Sequence, residues 1–259
     1  MIKGLYTSAA GMLPLDYRQD LTANNLSNTN TSGYKQDRAF VHELLSADLY
    51  LNKNGIASTG EPPRMINISP PAFEASVGNS SQVVVYQTDF SPGTMEVTGN
   101  DLNMAIDGPG FFTVNTPQGQ RFTRNGYFSV NATGSLVTGD GFPVLGNAGP
   151  INVQGGKINV LQNGDVLVDG VQRGTLRIRD FPKPYQLTKE GNSLFAAQDA
   201  GQAARDFKVR QGALENANAN PIDQTVRMIE ISRMFELNQR AIRLQDETLQ
   251  QAVSQIGRI

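Results

Sequence analysis

The chain contains no cysteine and no tryptophan. The first absence removes disulfides, thiolate metal ligands, thiol nucleophiles and redox switching together, and it leaves the compartment open. Histidine occurs once, as His42, so a Ser-His-Asp triad or a multi-histidine metal site would have to be built on that one residue. A solvated or loosely packed imidazole is the preferred reading. Charge is scarce: Asp, Glu, Lys and Arg make up 18% of the 259 residues, against roughly 25% in an average soluble domain. With 22 basic and 24 acidic side chains the net charge is -2, too little to provide a broad field for nucleic acid or anionic lipid. No window approaches the ~18 apolar residues of a membrane span. The opening segment is interrupted at Gly4, Thr7, Ser8 and Gly11, so no cleaved signal peptide is expected.

What the chain has instead is amide and glycine: 22 Asn, 19 Gln and 26 Gly. Such polarity is built from hydrogen-bonding side chains and turns more than from ions, which suits strands, loops and close packing against neighbours. At the N-terminus, Ile2, Leu5, Tyr6, Ala9, Met12 and Leu13 follow helical spacing, resumed through Tyr17, Leu21 and Leu26. Pro14 lies inside this pattern and is expected to bend or break it, with two short helices as the alternative. The run from Asn24 to Gly33 then ends helicity, because Asn and Gly tolerate the left-handed conformation that closes a helix.

Residues 36–82, rich in Pro, Ser, Asn and Gly from 52 onward, read as an irregular connector arm. From Val83 to about residue 210 short apolar runs alternate with turn signals, among them Val83–Tyr86, Leu102–Ile106, Phe111–Val114, Arg121–Arg124, Tyr127–Val130 and Leu136–Thr138. Asn125-Gly126, Thr133-Gly134, Asp140-Gly141 and Asn163-Gly164 are read as hairpin turns. Residues 211–219 connect this β-rich domain to a C-terminal helix with a well-marked start. Asn220 can serve as N-cap, Pro221 occupies the favoured first position, and Asp223 complements the macrodipole. Met228, Phe235, Ile242, Leu249 and Ile256 recur every seven residues, with Ile231, Leu244 and Val253 beside that line. Burying five such residues at ~2 kcal/mol each would gain on the order of 10 kcal/mol gross, enough to order the terminal segments once partners are present. Alone, those segments are expected to be disordered.

Catalytic constellations are missing. No Gly-x-Ser-x-Gly elbow or P-loop occurs. Gly108-Pro109-Gly110-Phe111-Phe112 follows a strand, yet Thr113 stands where a dinucleotide fingerprint needs its third Gly, so a tight turn is expected. Asn163, Asp165 and Asp169 lack the alternating ligands and closing Glu of a calcium loop. Asp246 and Glu247 are helix neighbours pointing to different faces, which does not make a glycosidase dyad. No enzyme activity, cofactor or metal is expected.

Gly4-Leu5-Tyr6-Thr7-Ser8-Ala9-Ala10-Gly11-Met12, Thr22-Ala23-Asn24-Asn25-Leu26-Ser27-Asn28 and Gly33-Tyr34-Lys35 resemble the N-terminal signature of the axial proteins of the bacterial flagellum, specifically the rod proteins of the basal body. Thr98–Phe112 and Phe122-Thr123-Arg124-Asn125-Gly126 resemble that family's β domain. Gly212-Ala213-Leu214-Glu215-Asn216-Ala217-Asn218, Met228-Ile229 and Arg240-Ala241 resemble its C-terminal helix region. Pro143-Val144-Leu145-Gly146, Gly149-Pro150-Ile151 and Arg179-Asp180-Phe181 look more like the proximal-rod than the distal-rod member. Pro14 and Ala217 depart from the family pattern.

The resemblance implies an α+β fold, in which an antiparallel β-rich domain (83–210) is flanked by terminal amphipathic helices (1–35 and 220–259) that pair as a coiled coil in an assembled helical tube. It implies a structural drive-shaft subunit required for motility, in the basal-body rod across the periplasm, exported through the flagellar type III apparatus. Partners would be further copies of the chain and neighbouring rod, hook and ring proteins, with no nucleic acid and no small-molecule substrate. The assembly interface is expected on Leu5, Tyr6, Ala9, Met12, Asn24, Asn25, Leu26 and Asn28, and on Met228, Phe235, Ile242, Leu249 and Ile256. The amides of Asn24, Asn25 and Asn28 either cap the first helix or bridge subunits. The alternatives are a distal-rod or hook-type axial subunit, a secreted β-rich binding module with helical dimerisation ends, and, with almost nothing behind it, a periplasmic hydrolase.

Overall fold

The computed structural model describes residues 2–44, 72–77 and 80–256. Helix α1 spans Ile2–Ser27. Strands follow as β1 Asp37–Leu44, β2 Ala72–Val77, β3 Ser80–Thr88, β4 Met95–Val97, β5 Met104–Asp107, β6 Phe111–Thr116, β7 Gly119–Thr123, β8 Phe128–Val130, β9 Leu136–Thr138 and β10 Leu145–Gly146. They continue as β11 Gly149–Pro150, β12 Ile158–Val160, β13 Asp165–Val168, β14 Val171–Thr175, β15 Ile178–Asp180, β16 Leu187–Lys189, β17 Leu194–Ala197, β18 Gln202–Ala203, β19 Lys208–Gln211 and β20 Ala213–Glu215. Helix α2, Pro221–Ile256, closes the described chain. All strand pairings are antiparallel, and the α+β class expected from the sequence is observed. Two compact units divide the chain: residues 1–27, 37–89 and 220–259 form a helical unit, and residues 28–36 and 90–219 a β unit.

In the helical unit α1 packs on α2 and on a three-stranded sheet ordered β1-β3-β2. The terminal helices therefore have an intramolecular partner, which the sequence reading did not provide. Helix α1 runs uninterrupted through Pro14. Proline removes one backbone donor, yet the helix is not broken there, and Pro14 and Leu15 are both buried. The sheet also departs from expectation, since β1 and β2 fall in the segment read as irregular and β3 pairs with them rather than with the β unit. Asp37-Arg38-Ala39-Phe40-Val41-His42-Glu43-Leu44 has no uniformly apolar face, so period-two patterning does not mark it. The cap of α2 is as expected: Asn220 Oδ1 accepts from the Ile222 N–H at 2.9 Å, and the Gln224 N–H donates to the Asn220 carbonyl at 3.0 Å.

The β unit is organised by a six-stranded sheet ordered β16-β17-β7-β6-β15-β18 that separates two cores. Side chains alternate across a strand. Phe111 and Phe122 thus face an aromatic cluster with Phe181 and Phe195, edged by Phe90 and Tyr185. Phe112, Val114, Ile178 and Leu194 face the other way, into the main core with Met104, Ile106, Phe128, Leu136, Val144 and Val166. Two local sheets, β8 with β9 and β12 with β13 and β14, and the long-range pair β5 with β19 close that second core. Gly134 and Gly164 take positive φ in hairpins as expected. Asn125-Gly126 does not make a hairpin. It joins β7 to β8, which lie in different sheets, and a Cβ on Gly126 would stand 1.5 Å from the Met104 carbonyl oxygen. Close backbone approach, not turn type, is what requires glycine there.

Two tyrosines carry a pH consequence. Burial, then a hydrogen bond with Tyr17 and nearby negative charge, pushes Tyr86 well above the ordinary tyrosine value of 10.0. Burial, then the Asp180 charge, raises Tyr185. Above pH 10 the unfolded chain releases protons that the folded chain keeps, so stability is full below that pH and falls as pH rises through the folded values. Alkaline titration of thermal unfolding should show a loss beginning near pH 10 that Tyr86→Phe reduces in the helical unit and Tyr185→Phe in the β unit; identical pH profiles in the variants would contradict this. Phe112→Ala, at a fully buried position, should cost about 3–5 kcal/mol of β-unit stability in denaturant unfolding.

Candidate functional site

Three segments singled out in the sequence converge inside the β unit. Gly33-Tyr34-Lys35 comes from the strap after α1, Arg124 from the end of β7, and Glu215 from the end of β20. Glu215 is 1% exposed, and its Oε1 accepts from Lys35 Nζ at 2.6 Å and from the Gly93 N–H at 3.0 Å. Its Oε2 accepts from Arg124 Nη1 at 3.3 Å. The second cation is accommodated by backbone: Arg124 donates to the carbonyls of Ile106 and Gly108 at 3.1 and 2.7 Å, and Lys35 to that of Ser91 at 2.8 Å. The Arg124 guanidinium also lies 5.2 Å from the centre of the Phe111 ring. The strap is seated by Gly33, whose N–H donates to the Glu215 carbonyl at 2.7 Å and whose φ of 68° admits no side chain without strain. A Cβ there would come within 2.2 Å of the Asn125 nitrogen.

A buried carboxylate held by two cations and a peptide N–H anchors structure; no open face is left for a substrate. The other polar groups weighed in the sequence are absorbed locally. Asn163 and Asp165 hydrogen-bond each other within their turn, and Asp169, after β13, accepts from the N–H of Lys157, just before β12. Gly108 and Gly110 take positive φ in a tight turn between β5 and β6. Asp246 and Glu247 lie exposed on α2. Among the described residues no group of His, Asp and Glu could hold a metal ion, and no helix is long and apolar enough to cross a membrane. His42 lies on β1 with its side chain outside the described residues.

The residues expected at the assembly interface are distributed over both helices. Leu5, Tyr6 and Ala9 lie on α1 and Ile256 ends α2, with side chains outside the described residues. Met12, Leu26, Asn28, Met228, Phe235, Ile242 and Leu249 are half-buried, and Asn24 is exposed. Asn25 is 3% exposed, and its amide brackets the Asp37 peptide: Nδ2 donates to the Asp37 carbonyl at 2.8 Å and Oδ1 accepts from the Asp37 N–H at 3.0 Å. That amide thus ties α1 to the start of β1 within the chain. Glu215 and Lys35, which the sequence reading did not select as site residues, carry no local sign of their pairing, since 180 positions separate them.

Residues 5–35 match the family described as "Flagella basal body rod protein", residues 105–168 the "Flagellar hook protein FlgE/F/G D1 domain", and residues 210–256 the "Flagellar basal body rod FlgEFG protein C-terminal". The chain is 31% identical to the flagellar basal-body rod protein FlgG of Borreliella burgdorferi, over 96% of this chain and 97% of that one. It is 30% identical to FlgG of Bacillus subtilis, over 98% and 99%, and 29% identical to the rod protein FlgF of Caulobacter vibrioides over the whole of both. Helical ends, a β-rich middle and a buried polar centre make an α+β protein, and the relatives give it an axial, structural class. The chain belongs to the flagellar basal-body rod protein family and is a structural subunit of the rod. A secreted binding module is not favoured by these relatives, and the family is one of structural proteins rather than enzymes.

Glu215→Gln should leave Lys35 and Arg124 buried against a neutral amide and cost about 3–5 kcal/mol. Lys35→Met, which keeps the Arg124–Glu215 pair, should cost less. Denaturant unfolding followed on the β unit checks the order of the two, and equal stability of Glu215→Gln and wild type would refute the anchoring role.

Proposed function

We propose that this subunit builds a helical tube through its terminal helices, with α1 and α2 pairing as a coiled coil in the inner layer and the β unit forming an outer layer. The observation that carries this reading is the packing of α1 on α2, with Met228, Phe235, Ile242 and Leu249 of α2 half-buried, in a chain whose family members are rod proteins. The tube crosses the periplasm, and its subunits arrive through the flagellar type III export apparatus. They join further copies of the chain and neighbouring rod, hook and ring proteins. The proximal rod is the proposed position, on the resemblance of Pro143–Gly146, Gly149–Ile151 and Arg179–Phe181 to the proximal member.

Phe235→Asp places a charge in the half-buried contact between α1 and α2, where it must be desolvated without a partner. The variant should lose motility and the heat stability of the helical unit while near-ultraviolet dichroism of the β unit is retained. Full motility of cells carrying only this variant would overturn the proposal. Imaging purified basal bodies with the chain labelled checks its position; label outside the rod would count against it.

A further inference from the structure

Helix α2 has two apolar faces, and among the described residues only one of them is covered. At about 100° per residue, Ile231, Phe235 and Ile242 share the face turned to α1, and Ile231 is 2% exposed. Ile222, Val226, Ile229, Leu237 and Leu244 fall in an arc of about 80° on the opposite side, so Leu244, expected from the sequence beside the seven-residue line, does not lie there. Their exposures run from 49% to 72%. Five large apolar side chains in one row are not the scattered apolar exposure of an ordinary surface. Arg233 and Arg240 lie within the same stripe and are exposed. Glu230 and Glu236 stand on its flanks, and Glu247 falls at its edge in line with Ile229.

The outward face of α1 has the opposite character. Between residues 13 and 27 it exposes Leu13, Asp16, Gln19, Asp20, Ala23, Asn24 and Ser27, while the Arg18 side of the helix is half-buried. Asp16 and Asp20 sit one turn apart, and Ala23 permits close approach. Gly11, on the other side of α1, would place a Cβ 3.8 Å from the Asn238 side chain of α2, which locates the face already used within the chain.

We propose that the Ile222/Val226/Ile229/Leu237/Leu244 stripe of α2 docks on the Asp16/Asp20 face of α1 in a second copy of this chain, with Arg233 and Arg240 meeting the two carboxylates. This rests on the reading of the chain as a self-assembling axial subunit and assigns which helix face serves it. The two complementary surfaces are different patches turned away from each other on one helix pair. Contact between them is heterologous, so each subunit that binds presents a fresh copy of both surfaces, and the series extends as a helical array instead of closing as a two-fold dimer. The inner face through Phe235 and Ile242 then sets the shape of the subunit, and the outer stripe sets its neighbours.

A charge exchange tests this with full-length chains. One variant carries Arg233→Glu and Arg240→Glu; the other carries Asp16→Lys and Asp20→Lys. Each alone opposes like charges at every contact and should lose most of its sedimentable assembly, with a monomer melting temperature close to wild type. Their equimolar mixture restores opposite charges at every contact and should recover assembly with the two variants alternating. Because the chain lacks cysteine, Asp20→Cys and Leu237→Cys chains should also form an intermolecular disulfide on mild oxidation. Wild type that assembles while the mixture assembles no better than either variant would overturn the face assignment alone. Wild type that stays monomeric at all concentrations would overturn the assembly reading and this inference with it.

Discussion

The carboxylate of Glu215 is the point on which the β unit depends. A charge that deeply buried is tolerated only when opposite charge and hydrogen bonds replace the lost water. Lys35, Arg124 and the Gly93 N–H supply them, each from a different part of the chain. The arrangement therefore fixes four segments against one another with a geometric demand that apolar packing, being non-directional, does not impose. One cation is left in excess, and the carbonyls of Ser91, Ile106 and Gly108 turn toward the two cationic side chains to receive it. The Phe111 ring beneath Arg124 joins this polar centre to the aromatic core, so the ion cluster and the packed sheet are one structure.

The amide-rich composition has its explanation in the turns. Asn100, Asn125, Asn131, Asn152, Asn163 and Asn220 each accept, through Oδ1, the N–H two residues ahead. This local bond shapes a turn or a helix start without a charge. Gln211 does the same over distance, accepting from the Val160 N–H and donating to the carbonyls of Asp101 and Ile158. A chain with many short strands needs many chain reversals, and neutral side chains that hydrogen-bond to backbone meet that need. The scarcity of ions thus follows from architecture, and the few charges that are buried have structural assignments.

Elements whose cause is local were legible in the sequence. Asn220-Pro221-Ile222-Asp223 announces α2 because each residue satisfies an orphan group or the dipole of the first turn. Phe111-Phe112 and Phe122 lie in strands because both cores require apolar side chains on both faces. What could not be read is whatever depends on partners remote in sequence. The seven-residue line through Phe235 marks an apolar face but not its occupant, and α1 fills it. Strand β1 shows no alternation because it has no uniformly apolar face, and its place in the sheet is set by backbone pairing with β3. Asn125-Gly126 has the composition of a hairpin and a different cause. The Lys35–Glu215 pair leaves no local trace, although both residues lie in segments that carry the family resemblance.

The strap of residues 28–36 belongs to the β unit, yet the residues on either side of it belong to the helical unit. A ribosome completes Lys35 long before it reaches Glu215, and a chain that ends between Arg124 and Glu215 carries both cations of the site without their counter-charge. Such a fragment could close the β unit around the strap only by burying uncompensated charge. The buried carboxylate thereby makes closure of the β unit around its strap depend on a residue at the far end of that unit.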